Sequence, residues 1–245
     1  MSRNFLRIGY WNIHGTKSKI IQNKLCDIEF LKKIGNCDVV ALAELHDEET
    51  VSIPGFKLLK QKIRQKNHSG PKISGGIAVF AKTSLHKLFS VIPNTNDNSI
   101  WVKCKQKSGS DDTYIGNFYF SPKNKSNKDN IFEILSNEIN RFKDKGTLIL
   151  QGDLNARIGK KDDYIIHDKS EESDANEKHP KPRNSSDLKS NPRGEELLDF
   201  CKINDCLISN GRKIGDLFGE YTCHQWNGSS VVDYLITRSS DFKKI

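Results

Sequence analysis

Leu148-Ile149-Leu150 is an apolar run that stops at Gly152-Asp153, with Asn155 two positions further on. Preceded by Gly146 and Thr147, the run predicts a short buried strand. A chain that repeats this pattern is directed towards an α/β architecture. Ligands of open α/β sheets bind outside the carboxyl ends of the strands, where loops line a crevice. An aspartate that has just left such a strand is placed to be partly desolvated and to act as a base. Gly, Asp and Asn are also turn formers, so this segment alone is read equally well as a surface turn.

The pattern does repeat. Phe5 to Trp11 predicts a first strand ending at Asn12. A loop follows over His14–Ser18, and then an amphipathic helix over about 19–34, capped by Ser18, with Ile21, Leu25, Ile28 and Leu31 at helical spacing. Asp38 to Ala43 predicts a buried strand that ends in an acid, Glu44. Gly75-Gly76 opens another strand, Ile77–Phe80. Ser99–Cys104 and Thr113–Phe120 are rich in sheet-favouring residues, and the polar segment between them predicts a hairpin. Tyr119 lies at its end, just before Pro122.

A second helix is expected from Asp129, with Ile131, Leu135, Ile139 and Phe142 on its inner face, and a third over Gly194–Asn204. The segments 221–226 and 230–237 predict a hairpin turning at Asn227-Gly228. Two polar stretches stand apart. Residues 57–72 carry Lys57, Lys60, Lys62, Arg64, Lys66 and Lys72 with no acid; they are read as a solvated loop or, equally, as a phosphate-contacting one. Residues 160–193 hold eight acids, eight bases and three prolines, and are expected to form a long mobile loop within a single domain spanning 1–245.

Net charge is +8 over 245 residues, a balance that favours polyanionic partners. No apolar run approaches the ~20 residues of a bilayer span, and Met1–Phe5 does not resemble a signal peptide. The six cysteines form no CxxC pair and are expected to be small core residues. A soluble, intracellular protein with reduced thiols and no membrane partner is expected; oligomeric state is left open.

The strand-end residues now form an ordered set: Trp11-Asn12-Ile13, Ala43-Glu44, Asn117-Phe118-Tyr119, Gly152-Asp153-Leu154-Asn155-Ala156 and Val232-Asp233-Tyr234. In order and setting these resemble the endonuclease/exonuclease/phosphatase superfamily, over Ile8 to Ile236. Asn191-Pro192-Arg193-Gly194, Asn210-Gly211-Arg212, Gly215-Asp216 and Gly219-Glu220-Tyr221-Thr222 are similar to the apurinic-type endonuclease domain of non-LTR (LINE-type) retrotransposons.

The resemblance implies a four-layer α/β sandwich, two packed mixed sheets flanked by helices. It implies Mg²⁺, or Mn²⁺, held by Glu44 with Asn12 nearby, since hard oxygen ligands suit such ions. Asp153 would orient or deprotonate the attacking water, and Asn155 would donate to the developing negative charge. Tyr119 would place its hydroxyl on the phosphate, and Asp233 would orient a histidine. Thr222, Lys62, Arg64 and Lys66 are the expected phosphate contacts. His14, His46 and His224 match no family position and are expected to be loop or surface histidines.

The implied activity is metal-dependent nicking of one DNA strand to leave a 3′-hydroxyl, which in the family primes a downstream reverse transcriptase, with the nucleus as site of action. A repair-type apurinic nuclease or phosphatase, and a catalytically dead DNA-binding remnant, are the alternatives. One departure matters. The family carries Ser-Asp-His a couple of dozen residues after Val-Asp-Tyr, whereas Ser240-Asp241-Phe242 comes too early and has Phe where His is required. The expectation is therefore a truncated domain with its final strand missing, an unpaired edge beside Val231–Thr237 and weakened activity.

Overall fold

The computed structural model describes residues 5–18, 23–63, 75–94, 96–106, 110–122, 131–142, 144–165 and 180–245. Internal packing divides the chain into two compact units, one of 1–123 with 144–153, the other of 124–143 with 154–245. One passage between them falls between Asp153 and Leu154, inside the Gly152–Asn155 motif.

The first unit is built on two mixed sheets. In one, β1 (Ile8–Asn12), β2 (Val39–Ala43), β3 (Phe56–Lys62) and β4 (Ile77–Lys82) take the order β1-β2-β4-β3. The β1–β2 pair is parallel and the others are antiparallel. In the other, β5 (Phe89–Ile92), β6 (Ser99–Cys104), β7 (Thr113–Tyr119) and β8 (Thr147–Asp153) follow one another, with β7 and β8 parallel.

The reason that β2 is apolar at every position is visible in its two faces. Val39, Ala41 and Ala43 pack with Val79, Ile100, Val102 and Ile115 between the sheets. Val40 and Leu42 pack on the outer face with Leu25, Phe30 and Ile34. A strand covered on both sides cannot alternate apolar with polar. The architecture is the α/β sandwich expected from the sequence.

Phe30 and Ile34 belong to α1 (Ile28–Ile34), which starts later than the periodicity predicts. Asp27 caps it, its Oδ1 accepting from the Glu29 and Phe30 amides. A 3-10 turn, Lys24–Cys26, with its own cap from Asn23, precedes it. Two successive caps break the single helix expected over 19–34. Ile28 consequently points outward, and residues 19–22 lie outside the described residues. The basic run is also partly corrected. Residues 56–62 are the edge strand β3, not a loop, and lysines along an edge discourage pairing with other chains.

Gly152 lets β8 lie beside β7, because a Cβ there would sit 2.2 Å from the Phe118 carbonyl oxygen. One residue earlier, Gln151 donates to Asn117 Oδ1 at 2.8 Å and to the Gly9 carbonyl at 3.2 Å. Asn117 donates in turn to the Ile100 carbonyl. This buried chain of amides ties β8 to β1 across the sandwich, with its polar groups hydrogen-bonded as burial demands.

The second unit contains α2 (Ile131–Asn140), α3 (Pro192–Ile203), β9 (Cys206–Ile208), β10 (Cys223–Gln225), β11 (Gly228–Ser230) and β12 (Asp233–Arg238). Phe132 of α2, rather than Ile131, faces inward and packs against Phe200 of α3, the ring centroids 5.7 Å apart and tilted by 39°. The hairpin β10–β11 turns at Trp226-Asn227, since Gln225 pairs with Gly228. The chain leaves that hairpin at the buried pair Val231-Val232, and β12 pairs with β9 instead. The expectation of an unpaired edge beside Val231–Thr237 is corrected by this ladder. Ser240-Asp241-Phe242 lies in a 3-10 segment, where buried Asp241 accepts from Arg238 and Lys244.

The polar stretch 160–193 is not the mobile loop that its composition suggests, over the residues described. Asp163, Arg183, Ser185 and Asp187 are all buried, and residues 166–179 lie outside the described residues. Asp163 accepts from both Arg212 terminal nitrogens at 2.7 Å and from the Ile208 amide at 2.7 Å. Charge made this segment read as solvated, whereas pairing lets it be buried. Among the described residues no helix is long and apolar enough to cross a membrane, and all six cysteines are free thiols.

Both partners of the Asp163–Arg212 pair are almost wholly enclosed, at 0% and 1% side-chain exposure. Asp163→Ala leaves an uncompensated guanidinium and is expected to cost about 3–5 kcal/mol. Urea unfolding of the purified variant measures this; a loss below about 1 kcal/mol would show that the pair is not a support of the second unit.

Candidate active site

Four of the residues singled out in the sequence meet at the carboxyl ends of the first unit's strands. Asn12 ends β1, Glu44 follows β2, Tyr119 ends β7 and Asp153 ends β8. The parallel registers explain the pairing: Asn12 lies opposite Ala43, and Tyr119 opposite Asp153. Parallel neighbours finish side by side, so each sheet presents two polar residues at one end.

The sheets are then joined reciprocally. Asn12 Nδ2 donates to Asp153 Oδ2 at 2.9 Å, and Tyr119 donates from its hydroxyl to Glu44 Oε1 at 2.8 Å. Asn12 is oriented by its own loop, its Oδ1 accepting from the His14 amide at 3.0 Å. Asp153 is the last residue of a strand rather than part of a loop, and it is 4% exposed. The surface-turn reading of this motif is thereby excluded.

Two histidines that sequence reasoning set aside belong to this cluster. His14 Nδ1 lies 2.8 Å from Glu44 Oε2, and His46 Nε2 lies 3.7 Å from the same oxygen. His14 is exposed, as expected, yet its position beside Glu44 carried no signal in sequence because 30 residues separate them. His14, Glu44, His46 and Asn155 also account for four of the five non-glycine residues with left-handed backbone among the described residues. Such conformations cost free energy and gather where side chains must be aimed.

Burial pushes the Glu44 carboxyl up, but hydrogen bonds from Asn12, Tyr119 and His14 outweigh it and hold the group below its ordinary value. Burial draws His46 down, against the pull of Glu44. The result is an anionic carboxylate beside an imidazole biased towards its neutral form. No group of three or more His, Cys, Asp or Glu is spaced to hold a metal ion among the described residues. The donor chemistry suits a hard cation carried by one or two carboxylates and completed by water, the habit of Mg²⁺.

The remaining residues lie in the second unit. Asn155 has φ +48°. Asp233 opens β12, where Thr222 Oγ1 accepts from the amides of both Val232 and Asp233 at 3.1 Å. Thr222 therefore fixes the entry to that strand. Of the expected phosphate contacts in the first unit, Lys62 donates to Asn94 Oδ1 at 2.9 Å and the Asn96 carbonyl at 2.7 Å. Arg64 and Lys66 lie outside the described residues.

Sequence reasoning also missed Asp187. It is buried, receives Arg157 through Nε at 2.8 Å and Nη2 at 2.6 Å, and accepts from the Val231 and Lys189 amides. Its place inside a charge-rich stretch concealed it.

No family model and no curated protein matches the sequence. Solved structures do match over nearly the whole chain. The endonuclease domain of TRAS1, a telomere-specific non-LTR retrotransposon, is 16% identical with a TM-score of 0.53, covering 97% of this chain and 87% of that one. The AP endonuclease LMAP from Leishmania major is 12% identical with a TM-score of 0.63, covering 96% and 79%. ANGEL2, a 2′,3′-cyclic phosphatase, is 16% identical with a TM-score of 0.53, covering 96% and 84%. The chain has the fold of the endonuclease/exonuclease/phosphatase proteins.

Burial raises the Asp187 carboxyl, but Arg157 and the two amides outweigh it and hold it below the usual range. A depressed folded value means stability that is complete above the unfolded value of about 3.9 and lost as pH falls through the folded one. Asp187→Asn is expected to lose about 2 kcal/mol at pH 7, with the deficit shrinking below about pH 4. Urea titrations at pH 7, 5 and 3 check this; a deficit constant across pH would remove Asp187 from the linkage.

Proposed function

We propose that this chain is a metal-dependent phosphodiester hydrolase that nicks one strand of DNA and leaves a 3′-hydroxyl. The observation that carries the reading is the reciprocal tie Asn12–Asp153 and Tyr119–Glu44, which sets two carboxylates at one end of a sandwich shared with nucleases and phosphatases. A net charge of +8 favours a polyanion over a small phosphoester.

In this reading Glu44 holds Mg²⁺ or Mn²⁺, with Asn12 beside it. The bound ion supplies charge neutralisation at the phosphate oxygen and the leaving 3′ oxygen. Asp153, fixed by the Asn12 amide, orients the attacking water and accepts its proton. Asn155 donates its carboxamide to the charge that develops on the phosphate, an interaction of about 3 kcal/mol where measured in other enzymes. Tyr119 both steadies Glu44 and offers a hydroxyl to the phosphate. Asp233 and Thr222 belong to the same function as polar groups at the head of β12. A 3′-hydroxyl primes reverse transcription, so a reverse transcriptase is the proposed partner and the nucleus the proposed place of action.

A second reading, hydrolysis beside an abasic site, is favoured by the TM-score of 0.63 with the Leishmania AP endonuclease. Supercoiled plasmid and a duplex with one abasic site, each assayed with Mg²⁺ and with EDTA, separate the two. Asp153→Ala and Asp153→Asn are both expected to lower Mg²⁺-dependent nicking by about 10²-fold or more. Full activity in either would take the general-base role from Asp153. DNA binding without any cleavage would identify a binding remnant, and such binding should weaken steeply with salt.

A further inference from the structure

The chain leaving Asp153 is held in an unusual way. Three successive carbonyls, those of Asn155, Ala156 and Arg157, each receive a hydrogen bond from outside the segment. The Asn191 side-chain Nδ2 donates to Asn155 at 3.2 Å, the Tyr234 hydroxyl to Ala156 at 2.8 Å, and the Asn191 amide to Arg157 at 2.9 Å. Asn191 Oδ1 closes the arrangement by accepting from the Arg157 amide at 3.0 Å.

The same Oδ1 caps α3, accepting from the Gly194 amide at 2.7 Å. A Cβ on Gly194 would lie 1.9 Å from the Arg157 carbonyl oxygen, so the first turn of α3 sits flush on this loop. Burial raises the Tyr234 phenol far above its ordinary value, which keeps it a donor. Between the fixed points stands Asn155 in a left-handed backbone, a conformation that asparagine adopts more readily than other non-glycine residues.

We propose that Asn191 is a positioning residue: it holds the backbone of Asn155 left-handed and thereby aims the Asn155 carboxamide. An ordinary helix cap explains only the bond to Gly194. It leaves unexplained the Nδ2 bond to Asn155 and the two bonds to Arg157, which tie the cap to a loop 34 to 36 residues earlier. This inference rests on the role proposed above for Asn155.

Asn191→Asp and Asn191→Ser separate the two jobs, because Asp and Ser are good caps. Asp keeps an oxygen for Arg157 and Gly194 but places an acceptor against the Asn155 carbonyl; Ser is too short to reach it. Both variants should keep the wild-type melting temperature within a few degrees. In plasmid nicking with Mg²⁺, each should lower kcat about tenfold with KM within about twofold, as for a displaced catalytic group. Neither should lower kcat further in an Asn155→Ala background.

Wild-type kcat in both Asn191 variants, beside an impaired Asn155→Ala, would overturn the positioning role. Wild-type kcat in Asn155→Ala would instead overturn the role proposed for Asn155. Hydrogen exchange at the Arg157 amide then decides the clamp independently of activity. It should quicken about tenfold in Asn191→Ser and little in Asn191→Asp; unchanged exchange in both overturns the clamp.

Discussion

Two carboxylates, Glu44 and Asp153, lie largely out of water at the ends of strands, and each accepts a hydrogen bond from the opposite sheet. The Asn12 amide reaches Asp153, and the Tyr119 hydroxyl and the His14 ring reach Glu44. This constraint shapes much of the first unit. Hydrogen bonds from Asn12, Tyr119 and His14 outweigh burial and hold the Glu44 carboxyl below its ordinary value. Asn12 and Tyr119 each reach across to the other sheet, and they can do so because β1 with β2 and β7 with β8 run parallel and end together.

The same end of the sandwich concentrates backbone cost. His14, Glu44 and His46 are all left-handed, where a β-carbon is crowded. The surrounding structure compensates with fixed partners, such as the Glu44 carbonyl accepting from Gly15 and the Gly75 carbonyl accepting from His46. In the second unit Asn191 donates to the Asn155 carbonyl and Tyr234 to the neighbouring Ala156 carbonyl.

Much of this was legible in the sequence where the signal was local. The apolar run of β2 and the apolar start of β8 announced buried strands, and Ser99–Cys104 matched β6 residue for residue. The polar residues at strand ends were found because a strand exit is marked by an abrupt change of residue type. Helix α1 was misjudged in its start because a periodic pattern does not reveal that Asn23 and Asp27 each begin a new turn. β9 was missed because three residues, Cys206–Ile208, are too few to show a period.

The sequence by itself determined the α/β class and which side chains stand at the ends of β1, β2, β7 and β8, because hydrophobic period and turn chemistry are local properties. Only the tertiary structure decided which of those side chains bond to one another. It placed His14 and His46 against Glu44, and it turned the charged stretch around Asp163 and Asp187 into a buried support. Those outcomes depend on register and on pairing across long separations, where a charge is buried only if its partner arrives in the right orientation. No window of sequence contains that information.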